Sequence, residues 1–247
     1  MSGAPFQTTR SEGFMQHRVA RRSLLALTAA SALPGAGRVS ARHLQQATPV
    51  TVTRAPLVPG ATALLVMDFQ DAWLATLADP DVVVAQAAAA IGWARELEIE
   101  VAYARVTFTT ADYAAVPEQN VIFNQIARPP GALDADAPGN DIDERVAPAW
   151  TDKVVHKTRV SAFQRTDLDA WLRGMGIDTL ILAGISTSGV VLSTVCDGAD
   201  LDYRLVVLAD ACADRDPTIQ QVLMEQVFPQ RATVTTVAGL PELFWPT

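Results

Sequence analysis

Residues 178–208, DTLILAGISTSGVVLSTVCDGADLDYRLVVL, decide the fold of this chain. The apolar run over 178–183 predicts a strand that is buried on both faces, and 184–189 predict a turn. A helix is expected from about 190 to 201, and the apolar residues 203–208 predict the next strand. A strand, a helix and a strand in this order form a parallel βαβ unit with a right-handed crossover.

The same alternation extends in both directions from this unit. We predict further strands over 61–67, 100–106, 153–157 and 232–237, and helices over 82–97, 166–175 and 217–227. Asp81 is the expected N-cap of the first helix, and Gly176 is the expected stop of the second. Residues 107–150 hold five prolines and an acidic cluster, so long loops with short helical pieces are expected there. The predicted fold class is α/β: a three-layer α/β/α, Rossmann-like sandwich over 48–245, with a mainly parallel sheet of five or six strands.

Charge is distributed unevenly along the 247 residues. The net charge is −8, yet residues 1–45 carry six arginines against one acid. Arg21 and Arg22 precede an apolar run over 23–33 that is too short to span a bilayer, and small residues follow at 39–41. This order is typical of an export signal and resembles a twin-arginine signal. The alternatives are a disordered N-terminal extension, a wrongly assigned start codon or an arginine-rich organelle transit peptide. An export signal would make the protein periplasmic or secreted, and a chain without one would be cytoplasmic.

The composition and the absence of certain motifs exclude several classes of binding partner and cofactor. An acidic body with few aromatic residues argues against nucleic acid, because affinity for phosphates depends on clustered lysine and arginine. No GxGxxG or Walker A pattern is present, and no two histidines stand at metal-ligand spacing. The acids between 134 and 144 match no calcium loop and are interpreted as a solvated loop. We therefore expect a small-molecule partner, no cofactor, no metal and no stable membrane span.

Three polar positions follow predicted strands. Asp68 comes after the first strand, Lys157 after the short third strand, and 187–190 form the turn after the fourth. In open parallel sheets, ligands bind beyond the carboxyl ends of the strands. Each position also has a structural interpretation, since the aspartate and the turn hydroxyls could cap helices and the lysine could be a surface charge. It is their combination that suggests a site.

That combination resembles the isochorismatase-like hydrolases over about residues 60–237. The segments that carry the resemblance are LVMDFQ at 65–70, KTRVSAF at 157–163 and GISTSGVVLST at 184–194. In that family an aspartate, a lysine and usually a nucleophilic cysteine meet in one pocket. The resemblance implies that Asp68 and Lys157 are the catalytic pair. It places Val190 at the cysteine position, and valine cannot attack a carbonyl carbon.

Isochorismatases proper also lack the cysteine and hydrolyse an enol ether by protonating a carbon–carbon double bond. The resemblance therefore implies a hydrolase of a small, anionic substrate, with Asp68 as the acid/base and Lys157 as its electrostatic partner. The resemblance also implies a homo-oligomer. The amidases of the family often hold a metal through aspartate and histidine, but this chain has no histidine between His43 and His156, so that metal site is not expected here. The expected substrate-binding residues are Gln70, Arg105, Arg159, Ser188, Gly189 and Val190.

Two alternatives stay open. The chain could be an inactive small-molecule-binding or regulatory member of the family, or an amide hydrolase with a different nucleophile. Cys196 is expected to be a small buried hydrophobe, and Cys212 is a weaker candidate nucleophile. The helix that begins near Val190 is expected to direct unpaired N–H groups at the pocket, a favourable place for negative charge.

Overall fold

A computed structural model describes residues 55–246, and the predicted extension over 1–45 lies outside them. Within 55–246, six strands form one sheet: β1 (Thr62–Met67), β2 (Glu100–Val106), β3 (Lys153–Lys157), β4 (Thr179–Ile185), β5 (Arg204–Ala213) and β6 (Thr233–Thr235). Their order across the sheet is β3-β2-β1-β4-β5-β6, and every neighbouring pair is parallel. The predicted α/β fold with a parallel sheet is confirmed.

The part of the chain that the structure describes contains eight α-helices, of which seven lie between strands and α8 follows β6, together with shorter turns. The helices are α1 (Asp71–Leu74), α2 (Pro80–Glu96), α3 (Thr110–Ala114), α4 (Val121–Ile126), α5 (Leu168–Gly174), α6 (Leu192–Asp200), α7 (Pro217–Val222) and α8 (Leu240–Phe244). A π-type turn, Thr187–Val191, precedes α6, and a second, Leu223–Val227, continues α7. The short helices α3 and α4 lie in the stretch predicted to be loops with helical pieces. None of the helices in residues 55–246 is long and apolar enough to cross a bilayer.

Two predicted helix boundaries have different outcomes. Gly176 has φ 74°, a left-handed conformation that suits glycine, and it follows the end of α5 as expected. The prediction that Asp81 is the N-cap of α2 is wrong. Asp79 is the N-cap because Pro80, which has no N–H to satisfy, begins the helix. Asp81 instead forms an ion pair with Arg145 at 2.7 Å.

The sheet is covered on both faces. All six residues of β1 are buried, and they alternate between two apolar clusters. Leu64 and Val66 belong to the cluster that includes α2, whereas Leu65 and Met67 belong to the cluster that includes α6. Successive side chains of a strand point to opposite faces, so a continuous apolar run requires helices on both sides. This packing makes the three layers.

The strand order places the site. The chain moves from β1 outward to β2 and β3, and then returns to the other side of β1 to form β4. The connections after β1 and β4 therefore leave the sheet in opposite directions, and a crevice opens between the carboxyl ends of these two strands. Asp68 follows β1 at this point, and the turn Thr187–Val191 follows β4.

Candidate functional site

Asp68 lies where the chain turns away from the sheet. Its φ is 56°, in the left-handed region, which costs a non-glycine residue about 1–2 kcal/mol. Its backbone N–H still donates to the carbonyl of Ala104 at 2.9 Å, so the residue remains attached to β2. Residues held in such a conformation depend on the surrounding structure to keep them there.

The Asp68 carboxylate forms a buried ion pair. Its Oδ2 is 2.8 Å from Nζ of Lys157, and the two side chains are 8% and 1% exposed. Lys157 Nζ also donates to the carbonyl of Arg159 at 3.3 Å. Burial raises the pKa of Asp68 above its usual range, and the neighbouring ammonium opposes that rise only in part. Oδ1 of Asp68 is buried and has no hydrogen-bond partner in the described chain. The pair therefore offers one carboxyl oxygen that is free to exchange a proton.

Both side chains line one cavity of about 380 Å³, called here the Asp68 cavity. Its charged or hydroxyl-bearing lining comes from Asp68, Thr76, Lys157, Ser186, Ser188, Asp214 and Arg215. Its apolar lining comes from Trp73, Val106, Ile122, Phe123, Ile126, Val160, Ile185 and Val190. The structure thus brings Asp68, Lys157, Ser188, Gly189 and Val190 to the same cavity, as the strand-end positions predict.

The turn after β4 has internal partners for its N–H groups. The Ser188 N–H donates to Oδ2 of Asp214 at 2.7 Å. The N–H groups of Gly189 and Val191 donate to the carbonyl of Ser186 at 3.2 and 3.3 Å. The expectation that this helix start directs unpaired N–H groups at the pocket is therefore wrong for these three groups. Nearby acceptors of the chain itself satisfy the donors that a helix start would otherwise leave free.

Three predicted substrate-binding residues lie outside the Asp68 cavity lining. Gln70 is fully buried in a hydrogen-bond network with Val106 and Asn140. Arg105 donates to the carbonyl of Ala135 at 3.0 Å and lies 3.9 Å from Asp141. Arg159 packs over the ring of Phe123, 5.4 Å from its centroid.

Each of the three side chains thus contacts the chain itself, although Nε of Arg105 is buried without a hydrogen-bond partner in the described residues. Their roles in substrate binding stay predictions.

Neither cysteine lies in the lining of the Asp68 cavity. Cys212 is buried in β5, in register with Gly184, and burial raises the pKa of its thiol to about 12. A thiol with that pKa carries almost no thiolate at neutral pH, so Cys212 is unsuited to be the nucleophile. Cys196 lies in α6 and is half-buried, so the expectation of a fully buried side chain is wrong.

Sequence reasoning missed several cavity residues. Asp214 and Arg215 directly follow β5, so the rule that pointed to Asp68 could also have found them. Trp73 and Phe123 come from helices in the connections after β1 and β2, where no local pattern predicts which side chain faces a cavity.

No metal is implied by the donors at the site. Residues 55–246 contain no group of three or more histidine, cysteine, aspartate or glutamate side chains that could hold one. The Asp68 carboxylate has an ammonium as its neighbour, which does not fit cation binding.

Comparisons with known proteins agree on one family. The Isochorismatase domain matches residues 62–239. The uncharacterized isochorismatase family protein YecD of Escherichia coli O157:H7 is 32% identical over 71% of this chain and 92% of its own length. Phenazine biosynthesis protein PhzD1 of Pseudomonas aeruginosa is 30% identical over 77% of this chain and 90% of its own. N-carbamoylsarcosine amidase of an Arthrobacter species is 38% identical, but the match spans only 38% of this chain and 35% of that amidase.

Solved structures give the same result for the fold. An isochorismatase family protein from Burkholderia thailandensis is 25% identical with a TM-score of 0.66, covering 77% of this chain and 99% of that one. N-carbamoylsarcosine amidase from Thermoplasma acidophilum is 27% identical with a TM-score of 0.59, covering 71% of this chain and 96% of that one.

Proposed function

The chain belongs to the isochorismatase family of hydrolases, and from this membership and the Asp68 cavity we propose that it hydrolyses an enol ether in a small anionic substrate. The proposed reaction uses no cofactor. The observation that carries the proposal is the buried carboxyl of Asp68, in a cavity that holds no cysteine among its lining residues.

Asp68 is suited to be the general acid. An enol ether is cleaved when a proton reaches a carbon of its double bond, and the acid must therefore be protonated near neutral pH. A free aspartate has a pKa of about 3.9 and would be ionised. Burial raises the pKa of Asp68 in the required direction, and its Oδ1 has no hydrogen-bond partner in the described chain. This oxygen is the proposed proton donor.

The reaction balances with water as the only co-reactant. The electron pair of the double bond takes the proton from Asp68 and forms a C–H bond, which leaves a carboxylate on Asp68 and an oxocarbenium ion in the substrate. Water adds to the cationic carbon and returns a proton to the carboxylate. The resulting hemiketal separates into an alcohol and a carbonyl compound. Lys157, 2.8 Å from Oδ2, stabilises the carboxylate that exists between the two proton transfers.

A non-covalent mechanism is supported by Val190. By family resemblance this residue stands where the amidases hold their nucleophilic cysteine, and its side chain lines the cavity. Valine cannot carry an acyl group, whereas enol-ether hydrolysis needs no nucleophile from the protein.

Arg215 supports an anionic substrate. It lines the cavity and forms no ion pair with any residue between 55 and 246. The other cationic group of the cavity, Lys157, is already paired with Asp68. A guanidinium without a partner binds a carboxylate well because two N–H groups can donate in parallel.

Amide hydrolysis is the second candidate, because two of the similar proteins are amidases. Ser186 and Ser188 line the cavity and could replace the cysteine. A serine nucleophile needs a base within hydrogen-bond distance, and neither hydroxyl is bonded to a carboxylate or imidazole in the described residues. Enol-ether hydrolysis is therefore ranked first.

The test is to incubate the purified protein with isochorismate and, separately, with N-carbamoyl and primary amides. Turnover of isochorismate that is lost in Asp68→Asn supports the proposal, because asparagine keeps the size of the side chain but cannot deliver the proton. Amide turnover without isochorismate turnover would overturn it in favour of the second candidate. Saturable binding with no turnover of any substrate would overturn it in favour of a binding or regulatory protein.

A further inference from the structure

Gln70 is fully buried two residues after Asp68, and both polar atoms of its side-chain amide have partners on β2. Its Oε1 accepts a hydrogen bond from the Val106 N–H at 2.9 Å. Its Nε2 donates to the Val106 carbonyl at 3.1 Å and to the Asn140 carbonyl at 2.9 Å. The residue does not line the Asp68 cavity, so its amide has no free group to offer a substrate there.

The Gln70 amide takes the place of a backbone neighbour. β1 and β2 pair in parallel register as far as Met67 and Ala104, and the Asp68 N–H still donates to Ala104. Beyond that bond, the left-handed conformation of Asp68 leads the backbone away from β2. Val106 would be left with an unpaired N–H and carbonyl on this side, and the amide of Gln70 supplies one acceptor and one donor to match them.

Val106 also connects this anchor to the other half of the ion pair. It lies in register with Lys157 across the β2–β3 pairing, and the Lys157 carbonyl accepts from the Thr107 N–H at 3.3 Å. The end of β2 is therefore fixed to the Gln70 side chain on one side and to the Lys157 backbone on the other. The separation of Asp68 from Lys157 depends on both attachments.

We propose that Gln70 is a positioning residue, whose amide anchors the chain after Asp68 to the end of β2 and so holds the Asp68 carboxyl against Lys157. The inference rests on the proposed function for the importance of Asp68, but the anchoring itself can be measured without turnover. It replaces the expectation that Gln70 contacts the substrate with a different role for the same residue.

Asn140 makes the anchor rigid from the other side. It is 2% exposed, and its Nδ2 donates to the carbonyls of Leu133 and Asp134 at 3.1 and 2.7 Å. Its own carbonyl accepts from Gln70 and from Arg105. The long loop before β3 is thus fastened to the same point, and the Gln70 amide cannot rotate without breaking bonds to two segments.

The test is Gln70→Leu, which keeps the bulk of the side chain and removes all of its hydrogen bonds. We expect kcat to fall by about 10²-fold with little change in KM, because displacement of a catalytic group of about 1 Å has that effect. The pKa of the Asp68 carboxyl, followed by NMR in protein labelled with ¹³C-aspartate, should fall toward its ordinary value as water reaches the loosened side chain.

A second variant keeps the proposal testable if Gln70→Leu does not fold. In Gln70→Glu, a protonated carboxyl can accept from Val106 N–H and donate to a carbonyl, whereas the ionised form has no donor. The activity of this variant relative to the wild type should therefore recover as the pH is lowered. Gln230→Leu is the matched control, since Gln230 is exposed and its side chain donates to the Gln226 carbonyl within its own turn; it should change neither kcat nor the Asp68 titration.

Two results would overturn the inference. An increase in KM alone, with an unchanged Asp68 titration, would mean that Gln70 contacts the substrate. Wild-type values of both kcat and the Asp68 pKa would mean that the strand end holds Asp68 without it. If the wild-type protein hydrolyses no enol ether, the proposed function fails, yet the Asp68 titration in Gln70→Leu still decides whether Gln70 positions it.

Discussion

Replacing Lys157 by methionine should make the stability of the protein strongly dependent on pH. Methionine matches the length of most of the lysine side chain but lacks the ammonium that lies 2.8 Å from Asp68. Both side chains are buried, so the carboxyl cannot turn to solvent for compensation. Removing one partner of a buried ion pair typically costs about 3–5 kcal/mol, because the other charge stays buried alone.

The sign of the pH dependence follows from the raised pKa of Asp68. Between the unfolded pKa of about 3.9 and the higher folded value, the native state holds a proton that the unfolded state has released. The free energy of unfolding therefore falls as the pH rises through this window, by about 1.4 kcal/mol per pH unit. Without the ammonium of Lys157 the pKa of Asp68 rises further, and the window extends to higher pH.

Urea unfolding of the wild type and Lys157→Met, at intervals from pH 4.5 to 8.5, measures this effect. We expect the difference between the two proteins to be smallest at the acid end, because protonation of Asp68 removes the buried charge that Lys157→Met leaves without a partner. At the alkaline end the difference should reach about 3–5 kcal/mol. The double variant Asp68→Asn with Lys157→Met should lose the added pH dependence, because no buried carboxyl is left to ionise.

Lys153→Met is the matched surface control. Lys153 lies 2.6 Å from Asp167, but the side chain of Asp167 is 68% exposed. Such a pair contributes about 0–1 kcal/mol, so this variant should stay close to the wild type at every pH. The reasoning is refuted if Lys157→Met loses the same amount at pH 4.5 and 8.5, or if Lys153→Met loses as much.

Three further outcomes are expected. Iodoacetamide should modify the half-buried Cys196 before the buried Cys212 and leave activity intact, as mass spectrometry and rate measurements on the same sample can establish. Gly184→Ala should lower the free energy of unfolding by about 1–3 kcal/mol, because the added methyl would lie 2.8 Å from Cγ2 of Val191. Arg215→Gln should raise KM for an anionic substrate about tenfold or more with little change in kcat, since a charge-assisted hydrogen bond contributes about 1.5–3 kcal/mol.

Each of these has its own control. Loss of activity on alkylation in step with the modification of either cysteine would contradict the non-covalent mechanism. Gly60→Ala should be nearly neutral, because nothing lies within 4 Å of an added Cβ there, and a loss equal to that of Gly184→Ala would contradict the packing argument. Arg215→Gln should not affect an uncharged analogue of the substrate; an equal rise in KM for both would argue against recognition of the anion.

The sequence alone determined the layered architecture. A run such as β1, apolar at every position, can be satisfied only by helices on both faces, so the alternation of strands and helices predicts a parallel α/β sheet. Asp68 and Lys157 could be found in the same way, because residues that follow parallel strands meet at one edge. These predictions depend on local periodicity and on chain order, which a sequence contains.

The tertiary structure decided which polar groups are already satisfied. The sequence places Gln70, Arg105 and Arg159 near the strand ends, yet only the packed loops determine that Gln70 bonds to Val106 and Asn140. The turn before α6 looked like an open anion site, but Asp214, 26 residues later, accepts its Ser188 N–H.

The burial of Asp68 is also decided by the tertiary structure. Its raised pKa comes from elements distant in sequence that exclude water from one carboxyl. The local pattern of apolar and polar residues determines which helices and strands form. The partners of a hydrogen-bonding group and its desolvation depend on residues that the fold brings together, and these have no signal within a short stretch of chain.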